Sequence, residues 1–433
     1  MSFLYPLMNF LQPGIVWPQL AAFKPMLLAS LLALLAGLAG SASRRHMPPV
    51  LANSTIAWIL AFVLVQGLSM YRSGGRAMLD MLGFWYIYPA FVILSVLLMR
   101  DEKALQRYVW GMLVGAMYVV AWGIWAKYSG YNSVIHPGEE YSMEGRAGAY
   151  GMYRNQNDYS FIIVQILPFL YMFWRTERSW LRRMLLLASM ATCVAGMLFC
   201  LSRGGMLAMV LEMFLVVVMT MRRRTIALLL PALVFVAVGG IAYQWKMRAE
   251  NQGSTYTYAD SKDTRLQLWH AARVMFQDNP LLGVGSLSFG DHAKHYVQLS
   301  HDDLGKNAHN TYFDVAATSG SIGLLCFLAI LVTTFKRLRG RSDVSDSPHV
   351  EKVRVAALIS LLAIGFRALF DAKEYDWSFY TLAAIAVASN YIRQRHRAVV
   401  TSQAGRGGSI SRGSQRDGRR VQASFRRGGS ARD

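Results

Sequence analysis

The sequence predicts an all-α polytopic membrane protein of about 12 transmembrane helices with a largely helical, outward-facing loop subdomain. Three observations predict it. Of 433 residues 54% are hydrophobic and only 16% charged, with a mean hydropathy of +0.27. The apolar residues recur in blocks near bilayer length. The connections between blocks are alternately rich and poor in Lys and Arg.

The blocks, in order, are 3–22, 25–42, 53–70, 78–98, 107–128, 158–175, 183–201, 205–221, 225–244, 320–336, 353–370 and 377–392. Pro13 and Pro18 break the first, which makes it a short or re-entrant segment. The run 184–221 is interrupted only by LSRGGM. As one helix it would be about 57 Å long against a hydrocarbon core of about 30 Å, so it must fold back, with Arg203 at the fold. No internal repeat marks a transporter of two related halves.

With the N-terminus in the cytoplasm, the basic connections 43–52, 99–107, 175–183, 222–224 and 336–354 all fall on the cytoplasmic side. The opposite side receives 71–77, 129–157, the SRGG turn, 245–319 and DAKEYD at 371–376. The expected organisation is helices 1–9 over 1–244, a loop subdomain over 245–319, helices 10–12 over 320–392 and a basic tail over 393–433. Within the loop, 262–277 is amphipathic, with Leu266, Trp269, Ala272 or Arg273, and Phe276 at helical spacing. The N-terminus has no basic start or small-residue cleavage site, so the first spans are expected to act as the targeting signal.

The formal net charge of +20 does not point to nucleic acid, because it is concentrated. The tail 393–433 holds 11 Arg against 2 Asp in a Ser/Gly-rich setting, a composition that predicts disorder and an anionic lipid surface as partner. Cys193, Cys200 and Cys326 lie inside apolar blocks and form no disulfide or metal-ligand pattern.

The predicted topology gathers four polar features on the outward side: Arg203 in LSRGG, Arg265 in TRLQLW, His309 in NAHNTYFD, and Arg154 with Asp158 in YRNQNDYS. Each has a structural alternative. Arg203 alone reads as a snorkelling anchor, whereas Gly204 and Gly205 after it allow a bulky anion to approach backbone N–H groups. Arg265 reads as a solvated-face residue unless Trp269, one turn on, holds its stem. Arg154 and Asp158 are spaced for an intrahelical salt bridge. His309 competes with His270, His292, His295 and His301, whose spacings match no zinc pattern, so no metal is expected. It alone sits at a helix start beside Asn307 and Asn310, where imidazole can serve as a general base. Glu212, inside the eighth span, is a further candidate as an intramembrane carboxylate. Two guanidinium groups and an imidazole at an outer membrane face suit a lipid-linked sugar diphosphate, whose leaving group must be stabilised while an acceptor hydroxyl loses its proton.

LSRGG, the TRLQLW helix followed by NPLLGVG, and HNTYFDVAATSGSIGLL resemble the signatures of the bacterial O-antigen ligase and polymerase superfamily, multi-spanning inner-membrane glycosyltransferases of the GT-C type with one large periplasmic loop. Many relatives carry an acidic residue just before the glycine where this chain reads ATSGSIG. The resemblance implies an inverting transfer that needs no metal or other cofactor. The donor would be O-antigen on undecaprenyl diphosphate and the acceptor a sugar hydroxyl of lipid A-core. It also implies His309 as base, Arg203 and Arg265 as holders of the diphosphate, Asn310 as orienter of His309, and Arg154 and Asp158 along a substrate path. The O-antigen or exopolysaccharide polymerase and the protein O-oligosaccharyltransferase share fold and donor and differ in acceptor. A transporter or flippase is the alternative of another class, and would need charges along a midplane path, where only Glu212 stands out.

Overall fold

A computed structural model of the chain describes all residues outside 43–52, 130–146, 222–237, 244–245, 248–257, 299–304, 341–345, 399 and 401–433. The described residues form helices and turns, with no strand among them. The expected span 225–244 and the basic tail fall mostly or wholly outside the described residues.

Leu4–Leu11 (α1) stops at Gln12, whose backbone is left-handed at φ 44°, and Pro13 and Pro18 each open another short helical piece. Proline has no N–H to continue a helix but suits a first turn, so 3–22 becomes three pieces instead of one rod. The next helices are Pro25–Ala42 (α2), Ser54–Ser69 (α3), Gly75–Trp85 (α4), Ile87–Leu98 (α5), Glu102–Ser129 (α6), Gln156–Thr176 (α7), Trp180–Cys200 (α8) and Arg203–Thr220 (α9). The block 78–98 is thus split at Tyr86, because Pro89 cannot donate to the Trp85 carbonyl and forces a new start. Tyr258–Asp278 (α10) follows, then Thr311–Arg339 (α11), Pro348–Arg367 (α12) and 377–398 (α13). Seven of the described segments are long and apolar enough to cross a bilayer, so the chain is a multi-pass membrane protein. The eleventh helix begins at Thr311, capped by Asn310, as expected of a helix that starts near Asn307 to Asn310 and runs into the block 320–336, so the end of the loop segment lies inside it.

The core is aromatic where α3, α4, α5, α11 and α13 meet. Trp85, Phe62, Phe327 and Phe379 are all buried, with edge-on ring contacts of 5.4 Å between Phe62 and Trp85 and 5.5 Å between Phe327 and Phe379. Edge-on pairs of this kind add to the burial of large apolar area.

One irregularity explains two sequence motifs at once. Inside α11, Gly320 adopts φ 66° and ψ −166°, a region that is essentially glycine-only. The kink breaks two helical hydrogen bonds, and the loop DNPLLGVG replaces both. Val284 N donates to the Ala317 carbonyl at 2.9 Å and Gly285 N to the Thr318 carbonyl at 3.0 Å, while Ser321 N donates to Pro280 at 2.8 Å. The loop is also held from α3 and α4, where Ser286 N donates to Ser69 Oγ at 2.9 Å and Trp85 Nε1 donates to Ser286 Oγ at 3.0 Å. A Cβ on Gly320 would stand 2.2 Å from the Leu281 carbonyl carbon, so the loop can lie there only over glycine. Gly320→Ala is therefore expected to destabilise the protein by about 2 kcal/mol or more, through backbone strain and overpacking. Thermal unfolding in detergent checks this, and a melting temperature equal to wild type would refute it.

The amphipathic helix forms as expected, but with a different buried face. Leu268, Ala271, Ala272 and Met275 are buried, packed with Phe289, Ala308 and Ala317, while Leu266 is 50% exposed. The buried face runs through Leu268, Ala271, Ala272 and Met275, where α10 packs against α11, and Leu266 falls outside that stripe.

Candidate active site

Each expected residue sits at one end of the helix bundle, and local sequence explains how. The SRGG fold-back is built by Leu201, left-handed at φ 51°, which ends α8, and by Ser202, whose hydroxyl caps α9 by accepting from Gly205 N at 3.3 Å. Arg203 is then the first residue of α9 and half-buried. A Cβ on Gly204 would meet Phe370 Cβ at 2.7 Å and Arg367 Nη1 at 3.0 Å; one on Gly205 would meet Ser160 Cβ at 2.6 Å. The two glycines thus let the turn rest directly on α7 and on the end of α12, and the Gly205 N–H is engaged by the Ser202 cap.

His309 precedes a strongly capped helix start. Asn310 Oδ1 accepts from Tyr312 N at 3.0 Å and Phe313 N at 3.2 Å, so its side chain caps α11. Asp314 reaches back to accept from Ala308 N at 3.1 Å. Between these two fixed points His309 takes φ 50°, an uncommon conformation for a non-glycine residue that its capped neighbours impose. Trp269 of α10 donates to the Ala308 carbonyl at 2.9 Å and packs edge-on to Phe313, which fixes the Arg265 helix beside His309.

The groups converge on two residues that sequence reasoning passed over, Arg367 and Asp371. His309 Nδ1 lies 3.6 Å from Asp371 Oδ1, and Arg367 Nη2 lies 3.7 Å from Asp371 Oδ2. Both separations exceed a hydrogen bond; Arg367 and Asp371 make a charge contact, and His309 would join it on gaining a proton. The Arg367 side chain is only 1% exposed. It stacks over the Phe161 ring at 4.8 Å, and donates through Nε to Ser160 Oγ at 3.2 Å and through Nη2 to Ser202 Oγ at 3.4 Å. Ser202 in turn donates to Asn157 Oδ1 at 2.9 Å. Arg265 lies one turn before Trp269 on α10, the helix that Trp269 holds beside His309. One buried guanidinium therefore touches the Arg203 turn and faces the carboxylate that faces His309, with the Arg265 helix held beside them.

Arg154 and Asp158 do not form the intrahelical pair that their spacing suggests. Arg154 precedes Asn155, the cap of α7, so the two are not on one helical face. Asp158 instead pairs with Lys373, Nζ to Oδ1 at 2.6 Å. Among the other histidines, His292 Nδ1 bonds its own turn at the Ser288 carbonyl, 2.9 Å away, while His270 and His295 are exposed. Glu212 is fully buried in α9, and among the described residues neither of its carboxyl oxygens has a hydrogen-bond partner.

The short connection 371–376 is densely charged and mostly buried, which divides its acids. Burial alone would raise the Asp371 carboxyl, but the His309 ring and the Lys373 and Arg367 charges outweigh it and hold it well below the ordinary carboxylate range. Lys373 moves the other way: burial would lower it, yet Asp158 and Asp371 keep it well above its ordinary value. For Glu374 burial, reinforced by the Asp314 charge, outweighs the opposing Lys373 charge and lifts it from 4.5 to about 8. A carboxyl raised in the folded state binds a proton that the unfolded chain releases, so its contribution to stability is present below about pH 4.5 and falls away as pH rises toward about 8. Glu374→Gln should flatten this part of the melting-temperature profile between pH 5 and 8; an unchanged slope would show that Glu374 does not carry it.

The signal for Arg367 and Asp371 was present in FRALFDAKEYD. An arginine in the last turn of an apolar block, and four charges in the six residues after it, are more than a short turn requires. Read as a connector, the segment did not stand out.

Residues 188–328, which include the Arg203 turn, Arg265 and His309, match the family model described as O-antigen ligase. No curated protein matches the chain.

Proposed function

We propose that this chain, whose residues 188–328 match the family model described as O-antigen ligase, is the ligase itself, a lipid-linked glycosyltransferase of the inner membrane with its site on the periplasmic side. In this reading it moves O-antigen polysaccharide from undecaprenyl diphosphate to a sugar hydroxyl of lipid A-core. The observation that carries the reading is the convergence of His309 and the Arg203 turn on the buried Arg367–Asp371 pair, with the Arg265 helix held beside His309.

The chemistry follows from that arrangement. His309 Nδ1 faces Asp371, which leaves Nε2 for the acceptor hydroxyl. As the acceptor oxygen bonds to the anomeric carbon, its proton passes to Nε2, and the anionic Asp371 stabilises the imidazolium that forms. The bond between the anomeric carbon and the diphosphate oxygen breaks, and the electron pair leaves with undecaprenyl diphosphate. Attack from the side opposite the leaving group inverts the anomeric centre. Arg203 and Arg265 bind the diphosphate as its charge grows, with the permanence and forked geometry that guanidinium provides. No step requires a metal, so a chelator should leave the rate of purified enzyme unchanged.

The test offers purified protein with lipid-linked donor three acceptors in parallel: lipid A-core, a second donor glycan and a pilin-like protein. Transfer to lipid A-core alone is the expected result. Transfer to the glycan would make the protein a polymerase, and transfer to the protein an oligosaccharyltransferase.

A further inference from the structure

Three polar links run from the base side of the site to the arginine side without passing through the His309–Asp371–Arg367 line. Thr311 is the first residue of α11, two after His309, and fully buried. Its hydroxyl donates to the Asp371 carbonyl at 2.7 Å and accepts from Lys373 N at 3.0 Å, so one side chain fixes both ends of the 371–373 turn. From that turn Lys373 reaches across to α7, with Nζ 2.6 Å from Asp158 Oδ1 and also bonded to the Tyr375 hydroxyl at 3.2 Å. Asp158 follows Asn157 directly, and Asn157 Oδ1 holds Ser202, the cap on which Arg203 begins its helix. The chain of contact is thus His309, Thr311, Lys373, Asp158, Asn157, Ser202 and Arg203.

We propose that the Lys373–Asp158 ion pair, anchored by Thr311, is a positioning bridge that sets the distance between the base and the diphosphate-binding turn. The proposal rests on the reading of His309 as base and Arg203 as a diphosphate ligand. In this role Lys373 and Asp158 act through the turn and the cap that they hold, not on the reacting atoms. Their carboxylate and ammonium are nearly buried, with side-chain exposures of 14% and 13%, and each is paired with the other. A pair in this position has a definite consequence, since α11 and α9 are not neighbours in sequence and a displacement of about 1 Å between base and leaving group can lower a rate about 100-fold.

The experiment measures kcat and donor KM for Asp158→Asn, Lys373→Met, Lys373→Arg and the double variant Asp158→Asn with Lys373→Met, with amount and melting temperature in detergent as controls. A bridge predicts that each neutral single variant lowers kcat about 10- to 100-fold with donor KM within about twofold of wild type. It predicts that Lys373→Arg, which keeps the charge and can still reach Asp158, retains most of the rate. The double variant should lose no more than the worse single, because once the bridge is cut the second change removes nothing further. Losses that multiply in the double variant, or a donor KM that rises with kcat unchanged, would overturn the proposal and make the two residues independent substrate ligands. The double variant also guards against misfolding, since it leaves no uncompensated buried charge. Failure of the base assignment is separately visible: in that case His309→Ala would remain active while the bridge variants could be scored as before.

Discussion

His309→Ala is expected to lower transfer from lipid-linked donor to acceptor by about 1,000-fold while the protein remains folded in the membrane. The size follows from removing a general base, which typically contributes 100- to 10,000-fold. The fold should tolerate the change because the imidazole packs loosely, with 29% of the side chain exposed, and because α11 is capped by Asn310 and Asp314 and not by His309. Alanine at a left-handed position costs about 1 kcal/mol of backbone strain, but histidine bears that strain already. The measurement is lipopolysaccharide capping in cells whose only copy is the variant, together with the rate of purified protein. Normal capping would remove His309 from the mechanism.

Arg203→Lys is expected to lower kcat/KM about 100-fold, nearly as much as deleting one preorganised donor at a developing oxyanion. Lysine keeps the charge but loses the planar fork that binds two phosphate oxygens at once. This separates two roles for an arginine at the membrane edge. A snorkelling anchor needs only a charged head on a long stem, and lysine supplies that equally well. Full activity of Arg203→Lys would therefore assign the residue to anchoring. Arg265→Lys should behave in the same way, and its effect should combine with that of Arg203→Lys less than multiplicatively, since both would hold one diphosphate.

Arg367 raises a question of energetics that bears on both variants. A guanidinium buried to 1% exposure is costly unless compensated, and here compensation comes from one carboxylate, two serine hydroxyls and an aromatic face. Such an arrangement fixes geometry more than it adds stability. Arg367 orients Asp371, and through Ser202 it fixes the helix start at Arg203, so both halves of the proposed chemistry share one support.

The sequence by itself determined the class of the protein and the ends at which its polar residues lie. Apolar blocks of bilayer length can be satisfied only by helices, because backbone groups in hydrocarbon must bond within their own segment, and the Lys and Arg bias orders those helices. Local rules also placed the breaks at Pro13 and Pro18 and the fold-back at LSRGG. The tertiary structure decided the pairings. Spacing suggested that Asp158 would pair with Arg154, but a contact 215 positions along the chain, with Lys373, wins because α7 and the 371–376 turn meet in space. Glycines that looked like room for an anion lie against Arg367, Phe370 and Ser160, since only glycine lets those backbones approach. The kink at Gly320 is stable only because a distant loop replaces its broken hydrogen bonds. In each case the deciding energy belongs to groups far apart in the chain, which local pattern cannot weigh and packing can.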